Sequence, residues 1–198
     1  MSDRTEDRVG RLPTDAVEAG VGSADPPREP VRVLVLCTGN SARSQIAEAL
    51  LTTRGAGRVV AESAGSRPAA RVHPEAVAVL AAHGIAWQDR TPKSIDDVVG
   101  QPFDLVITVC DDAREACPYL PGVAARAHWG LPDPAVAATA DAPATFAATY
   151  DALDRRVGAL LALPLDQIDP AALGAAAQAS HDALTSTAVL VPDVDGRS

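Results

Sequence analysis

An apolar run that ends in a cysteine and restarts as a helix constrains this chain more than any other feature. Residues 31–36, Val-Arg-Val-Leu-Val-Leu, hold one polar side chain in six, the pattern of a strand covered on both faces. Cys37-Thr38-Gly39-Asn40-Ser41-Ala42-Arg43-Ser44 follows, and then Gln45-Ile46-Ala47-Glu48-Ala49-Leu50-Leu51 with helical character. Strand, tight loop and helix in direct succession predict a parallel sheet in which the loop opens at the carboxyl end of the strand.

The loop has the form C-x5-R-S, from Cys37 to Arg43 and Ser44. A turn this tight, made of small residues, points several backbone N–H groups inward and forms a nest for a tetrahedral oxyanion. Thr38, Gly39, Asn40, Ser41, Ala42, Arg43 and Ser44 are therefore the candidate oxyanion-binding residues. The helix starting near Ser44 adds the positive end of its dipole. The planar fork of Arg43 can grip two oxygens at once, which a lysine could not do. The same field is expected to depress the pKa of Cys37 and aim a thiolate at the bound anion. A sulfur nucleophile in an anion cradle implies attack on phosphorus, or on arsenic, whose oxyanion is equally tetrahedral.

The net charge of −9 argues against nucleic acid as a partner. It also leaves local dipoles and Arg43 to capture any anion against an unfavourable overall field. No apolar run approaches the ~18 residues of a membrane span. Residues 1–30 are charged and rich in Pro and Gly, unlike a secretory signal, so a cytoplasmic protein is expected. Three cysteines without export signals read as chemistry rather than as a disulfide framework. Cysteine and histidine show no metal-ligand spacing, and no zinc site is expected.

Residues 1–30 read as a disordered arm, 31–164 as the catalytic domain, and 165–198 as a C-terminal helix with a loose tail. Within the domain, strands are predicted at 31–36, 58–63, 103–109 and 123–128. Helices are predicted at 44–54, 73–83, 94–99, 111–116 and 145–163, with a weaker one at 171–184. The alternation implies a three-layer α/β fold: a four-stranded parallel sheet with helices on both faces. Cys37 and Cys110 both end strands, so both should open onto one edge of the sheet.

Two further stretches carry chemistry. Cys110 and Cys117 are spaced C-x6-C; along a helix this is about 10.5 Å of rise, beyond the ~7 Å between Cα atoms that a disulfide tolerates. They cannot bridge while the segment is helical, and Pro118 makes its end easy to loosen. A segment that changes shape on oxidation is a plausible redox switch; two inert buried thiols are the plain alternative. In His128-Trp129-Gly130-Leu131-Pro132-Asp133-Pro134, Asp133 sits between two prolines that fix its carboxyl group. It could donate a proton to a leaving oxygen. His73 and His83 flank a helix and read as capping or solvated residues.

Together these motifs resemble the arsenate reductases built on the low-molecular-weight protein tyrosine phosphatase fold, in the branch that uses three cysteines and thioredoxin. The resemblance rests on Cys-Thr-Gly-Asn-Ser-x-Arg-Ser-Gln followed by Ala-Glu-Ala, on Ser63-Ala64-Gly65, on the C-x6-C pair and on His-Trp-Gly-x-x-Asp-Pro, all in that order. It implies that Cys37 attacks arsenate held by the loop and Arg43, with Asp133 assisting loss of hydroxide. Cys110 would attack the adduct and release arsenite, and Cys117 would move the disulfide outward for thioredoxin to reduce. No bound cofactor is implied, and phosphate or sulfate would compete as oxyanions. Asn40 would brace the loop, and Ser44 would hydrogen-bond the Cys37 thiolate. The chain departs from the family at Ala42, where a second loop cysteine is common. It departs again at Lys93, where potassium-binding members have a carboxylate; an ammonium there could pair with Glu48, so no potassium site is expected. A phosphatase acting on phosphotyrosine or small phosphoesters is the runner-up, compatible with the loop and Asp133 but leaving Cys110 and Cys117 unemployed and lacking an evident aromatic platform. The motifs also allow a reductase served by a low-molecular-weight thiol, or a catalytically idle oxyanion or redox sensor.

Overall fold

A computed structural model describes residues 29–111, 123, 125–165 and 167–188. In chain order they form β1 (Val31–Cys37), α1 (Arg43–Arg54), β2 (Val59–Gly65), α2 (Pro74–Ala82), β3 (Leu105–Thr108), β4 (Ala125–His128), α3 (Ala142–Leu161) and α4 (Pro170–Ala188). Single 3-10 turns lie at Ile95–Asp97 and Pro134–Val136. The predicted arm and tail (residues 1–28 and 189–198) and the predicted helix beyond Asp111 lie outside the described residues.

The four strands form one parallel sheet in the order β2-β1-β3-β4. After β1 the chain builds β2 on one side and β3 on the other, which opens a crevice between the ends of β1 and β3. The register is level there: Leu36 pairs with Thr108, and Thr108 with His128. Val33 to Leu36 are fully buried because both faces of β1 are covered. Val33 and Val35 face Ile46 and Leu50 of α1, Leu153 and Val157 of α3, and Leu173 and Ala177 of α4. Leu34 and Leu36 face Ile95, Val98 and Phe103 on the other side. Each fully buried Leu or Val contributes roughly 1.5–3 kcal/mol relative to exposure.

Several elements differ from their expected bounds. The helix expected at 94–99 is one 3-10 turn, closed by a capping box between Ser94 and Asp97. Gly100, at φ +89°, follows directly, so the segment is too short to repay helix nucleation. Helix α3 starts earlier than expected because Pro143 is tolerated in a first turn. Helix α4 is longer than its weak pattern indicated, since its alanines favour helix without an apolar stripe. It approaches β4 so closely at Gly174 that a Cβ there would lie 2.6 Å from the Arg126 nitrogen. Leu173 and Ala177 thereby enter the main core, which makes α4 continuous with the domain.

Candidate active site

The loop after β1 is held in shape from outside. The carbonyls of Cys37, Thr38, Gly39 and Ser41 accept backbone hydrogen bonds from Ser66, Arg67, Ala69 and His73, at 3.3, 2.9, 2.9 and 2.8 Å. In a planar trans peptide the N–H points opposite to the C=O. Pulling those carbonyls outward turns the N–H groups of Thr38, Gly39, Asn40 and Ala42 toward the hollow. The Asn40 N–H shows the result, lying 3.0 Å from the Cys37 sulfur. The segment at residues 66–73 is thus part of the cradle, and its contribution is invisible in sequence because it is made entirely by backbone. Gly65 lets the two segments meet, since a Cβ there would lie 2.5 Å from the Thr38 carbonyl oxygen.

Asn40 is the keystone of the loop. It adopts φ +46°, a left-handed conformation that Asn tolerates better than most residues. Its Nδ2 donates to Ser44 Oγ at 2.9 Å and Ser63 Oγ at 2.7 Å, while its Oδ1 accepts from Gln45 Nε2 at 3.1 Å and the Lys93 backbone N–H at 2.8 Å. Gln45 is held in turn by Trp87, whose indole N–H donates to its Oε1 at 2.7 Å. Neither Gln45 nor Trp87 was singled out as a site residue in the sequence. The Gln of the Ser-Gln motif was a signal for the first; nothing local marked the second.

Cys37 is buried, with Ser44 Oγ 2.9 Å from its sulfur. Burial pushes its thiol above the ordinary value, against the opposing pull of the Ser44 hydroxyl and the Asn40 N–H. This corrects the expectation of a depressed pKa. The Arg43 guanidinium is engaged at the rim of the loop: Nη2 lies 3.0 Å from Asp133 Oδ2, and Nη1 donates to the Leu131 carbonyl at 2.7 Å. Asp133 also caps the 3-10 turn that follows it, accepting from the Ala135 N–H at 3.1 Å. Thr38, Gly39, Ser41 and Ala42 complete the loop, and Ala42 precedes α1 without a side-chain cap.

Cys110 follows β3 and comes to the same edge as Cys37. Its sulfur lies 3.6 Å from Thr38 Oγ1, and both cysteines are buried free thiols. Cys117 lies outside the described residues. His73 caps α2 by accepting from the Glu75 N–H and stacks on Phe146, while His83 stacks on Tyr150. His128 and Trp129 are tied to α4: the Trp129 indole donates to the Ala177 carbonyl, and the His128 backbone N–H donates to Gln178.

The expected partner of Lys93 needs correction. Its ammonium lies 3.0 Å from Glu62 Oε2 rather than on Glu48, because Glu62 and Ser63 alternate across β2 and face opposite sides of the sheet. Glu48 accepts from Ser63 Oγ at 2.5 Å and faces Arg90 Nη1 at 3.9 Å. Burial raises its pKa, with the Ser63 hydroxyl, Lys93 and Arg90 opposing. Arg90 itself lies over the Trp87 ring at 4.3 Å. Among the described residues no group of three or more His, Cys, Asp or Glu is arranged for a metal ion.

The arrangement can hold a tetrahedral oxyanion, present a sulfur to it, supply a carboxyl group at its rim, and offer a second thiol beside the first. The model of the low molecular weight phosphotyrosine protein phosphatase family matches residues 32–173. An arsenate reductase of Halalkalibacterium halodurans is 37% identical over 127 residues, covering 63% of this chain and 91% of that protein. A solved arsenate reductase in the phosphate binding state superposes with a TM-score of 0.59 at 30% identity, over 67% of this chain and 97% of that one. A Corynebacterium glutamicum thioredoxin-dependent arsenate reductase gives 0.52 at 34% identity, over 65% of this chain and 59% of that one. The chain belongs to the low molecular weight phosphotyrosine protein phosphatase family, the fold it shares with these arsenate reductases.

Proposed function

We propose that this protein reduces arsenate to arsenite through Cys37, Cys110 and Cys117, and is returned to its dithiol state by thioredoxin. The observation that carries the reading is the second thiol: Cys110 lies at the wall of the anion loop, 3.6 Å from Thr38 Oγ1. The phosphatase reading assigns it no step. Among the described residues Trp87, Phe103, Trp129, Phe146 and Tyr150 are all buried, so none offers a phenyl ring a platform beside Asp133.

Arsenate enters the cradle and draws Arg43 from Asp133. The Cys37 sulfur attacks arsenic, and an oxygen leaves as water. Its two protons are the thiol's own and one carried by arsenate, with Asp133 as the relay. This makes the raised Cys37 pKa compatible with turnover, since the thiol proton is consumed in the step. Cys110 thiolate then attacks the Cys37 sulfur. The sulfur–arsenic electron pair passes to arsenic, which leaves as arsenite, and a Cys37–Cys110 disulfide remains. Cys117 thiolate attacks Cys110 and releases Cys37; a thioredoxin dithiol reduces the Cys110–Cys117 bond.

The test is NADPH oxidation by the reduced protein with arsenate, thioredoxin and thioredoxin reductase. Steady turnover that Cys117→Ser abolishes is the expected result. Turnover only with a low-molecular-weight thiol would replace thioredoxin in the scheme. Hydrolysis of p-nitrophenyl phosphate without arsenate turnover would establish the phosphatase reading instead.

A further inference from the structure

Cys110 is buried at the rim of the main core, but among the described residues its thiol has only a long polar contact to orient it. Its thiol meets one hydroxyl, Thr38 Oγ1, at 3.6 Å, a distance at which sulfur and oxygen attract weakly. Yet the next residue, Asp111, is anchored although its side chain is 88% exposed: its Oδ1 lies 3.0 Å from His128 Nε2. The other imidazole nitrogen, Nδ1, lies 2.8 Å from Thr108 Oγ1. His128 and Thr108 are register partners on β4 and β3, so the ring spans two strand ends and reaches the first residue after Cys110. Its backbone is fixed as well, through the N–H to Gln178 Oε1 at 2.7 Å, and Gln178 is itself held by Asp182 at 2.9 Å.

Gly130 supplies a second, independent observation. A Cβ at that position would lie 2.7 Å from His128 Nε2 and 3.4 Å from Asp111 Oδ1. The missing side chain is the space through which imidazole and carboxylate meet. A neutral ring suffices, with Nε2–H donating to Asp111 and Nδ1 accepting from the Thr108 hydroxyl.

We propose that His128 is a positioning residue for the second thiol: by holding Asp111 in the space left by Gly130, it keeps Cys110 at the wall of the anion loop until Cys37 carries its adduct. The inference rests on the three-thiol reading above. One hydrogen bond to an exposed carboxylate is strong enough to bias the segment and weak enough to release it. Release is needed, because Cys110 must afterwards present its sulfur to Cys117. Cys110 is the reacting group; His128 acts only through Asp111.

Two measurements test this in the full-length protein. In single turnover with arsenate, His128→Ala and Gly130→Ala should slow Cys37–Cys110 disulfide formation about tenfold, while the dissociation constant for inorganic phosphate stays within about twofold. His128→Gln, whose amide can donate to Asp111 and accept from Thr108, should restore most of the rate. In a Cys37→Ser/Cys117→Ser background, iodoacetamide should label Cys110 about tenfold faster once His128 is Ala. Unchanged disulfide formation in His128→Ala, unchanged labelling, or equal loss of phosphate binding and disulfide formation would each overturn the proposal. The labelling measurement needs no arsenate. Protein that makes no arsenite but shows the predicted labelling would therefore refute the arsenate reading and support the positioning of Cys110.

Discussion

With Arg43 as the proposed grip on the oxyanion, its ion pair with Asp133 opposes anion binding, and replacing Asp133 by Asn should make the protein bind phosphate more tightly while turning over less. Arg43 Nη2 lies 3.0 Å from Asp133 Oδ2, with Arg43 buried and Asp133 42% exposed at its side chain. Exposed ion pairs are worth about 0.2–1 kcal/mol, and burial of the arginine places this pair near the upper end. An anion that recruits Arg43 must first break it. Removing the carboxylate charge should thus tighten phosphate binding about fivefold, 1 kcal/mol divided by RT. Turnover with arsenate should fall about 10²-fold or more, because in the proposed mechanism the same carboxyl group would relay the proton to the leaving oxygen. Titration calorimetry with inorganic phosphate at fixed ionic strength reads the first effect, since screening would otherwise blur it. Glu75→Gln serves as control: it removes a carboxylate from the neighbouring hollow that Arg71, His73 and Pro134 line, without touching Arg43. Equal affinity gains in the two variants would mean that the protein's general field matters and the pair does not. Weaker phosphate binding in Asp133→Asn would refute the reasoning outright.

Other consequences are equally specific. Ser44→Ala removes the hydroxyl 2.9 Å from the Cys37 sulfur, which pulls the thiol's pKa down against burial, so the Cys37 pKa should rise further. The pH dependence of its alkylation, with Cys110 and Cys117 replaced by Ser, reads this directly, and an unmoved profile would exclude the hydroxyl as a thiolate partner. Trp87→Phe strands the buried Gln45 carbonyl oxygen that the indole N–H satisfies; a loss of about 1–3 kcal/mol in denaturant unfolding is expected, together with weaker phosphate binding. His181 accepts from Arg156 Nε at 2.8 Å, and burial and that arginine lower its pKa from 6.5. The folded state then binds fewer protons than the unfolded one, so this contribution is complete above 6.5 and lost as pH falls through the lowered value. Thermal unfolding between about pH 7 and pH 5 should decline less steeply in His181→Gln than in the parent, and equal slopes would refute the assignment.

The placing of Cys37, Arg43 and Cys110 at one edge of the sheet was legible in sequence because each position follows directly from strand, loop and spacing. The sheet was legible for the same reason: four apolar runs separated by helical patterns admit few topologies. The thiol's pKa was misread, because spacing reveals the favourable dipoles and conceals the burial that outweighs them. Lys93 was assigned the wrong carboxylate because alternation along β2 decides which of Glu62 and Glu48 it reaches. The bracing of Asn40 by Trp87 and the tethering of the loop by residues 66–73 depend on contacts distant in sequence or made by backbone, and neither leaves a residue-type signature. Helix α4 was underrated since alanines pack through closeness, at Gly174 and Ala177, rather than through a visible apolar stripe.

The outward tethering of four loop carbonyls has a consequence for how the protein folds. A peptide containing the Cys-x5-Arg sequence alone holds none of the hydrogen bonds from Ser66, Arg67, Ala69 and His73, so it has no reason to curl its amides inward. The anion cradle comes into being only when β2 has docked on β1 and the chain beyond it has closed over the loop. Recognition of the oxyanion is therefore a property of the assembled domain, and phosphate should act as a folding ligand, binding the native state and ignoring the unfolded one. At about a hundred times its dissociation constant it should add about 2.7 kcal/mol to the stability of the whole domain, protecting strands and helices that never touch it.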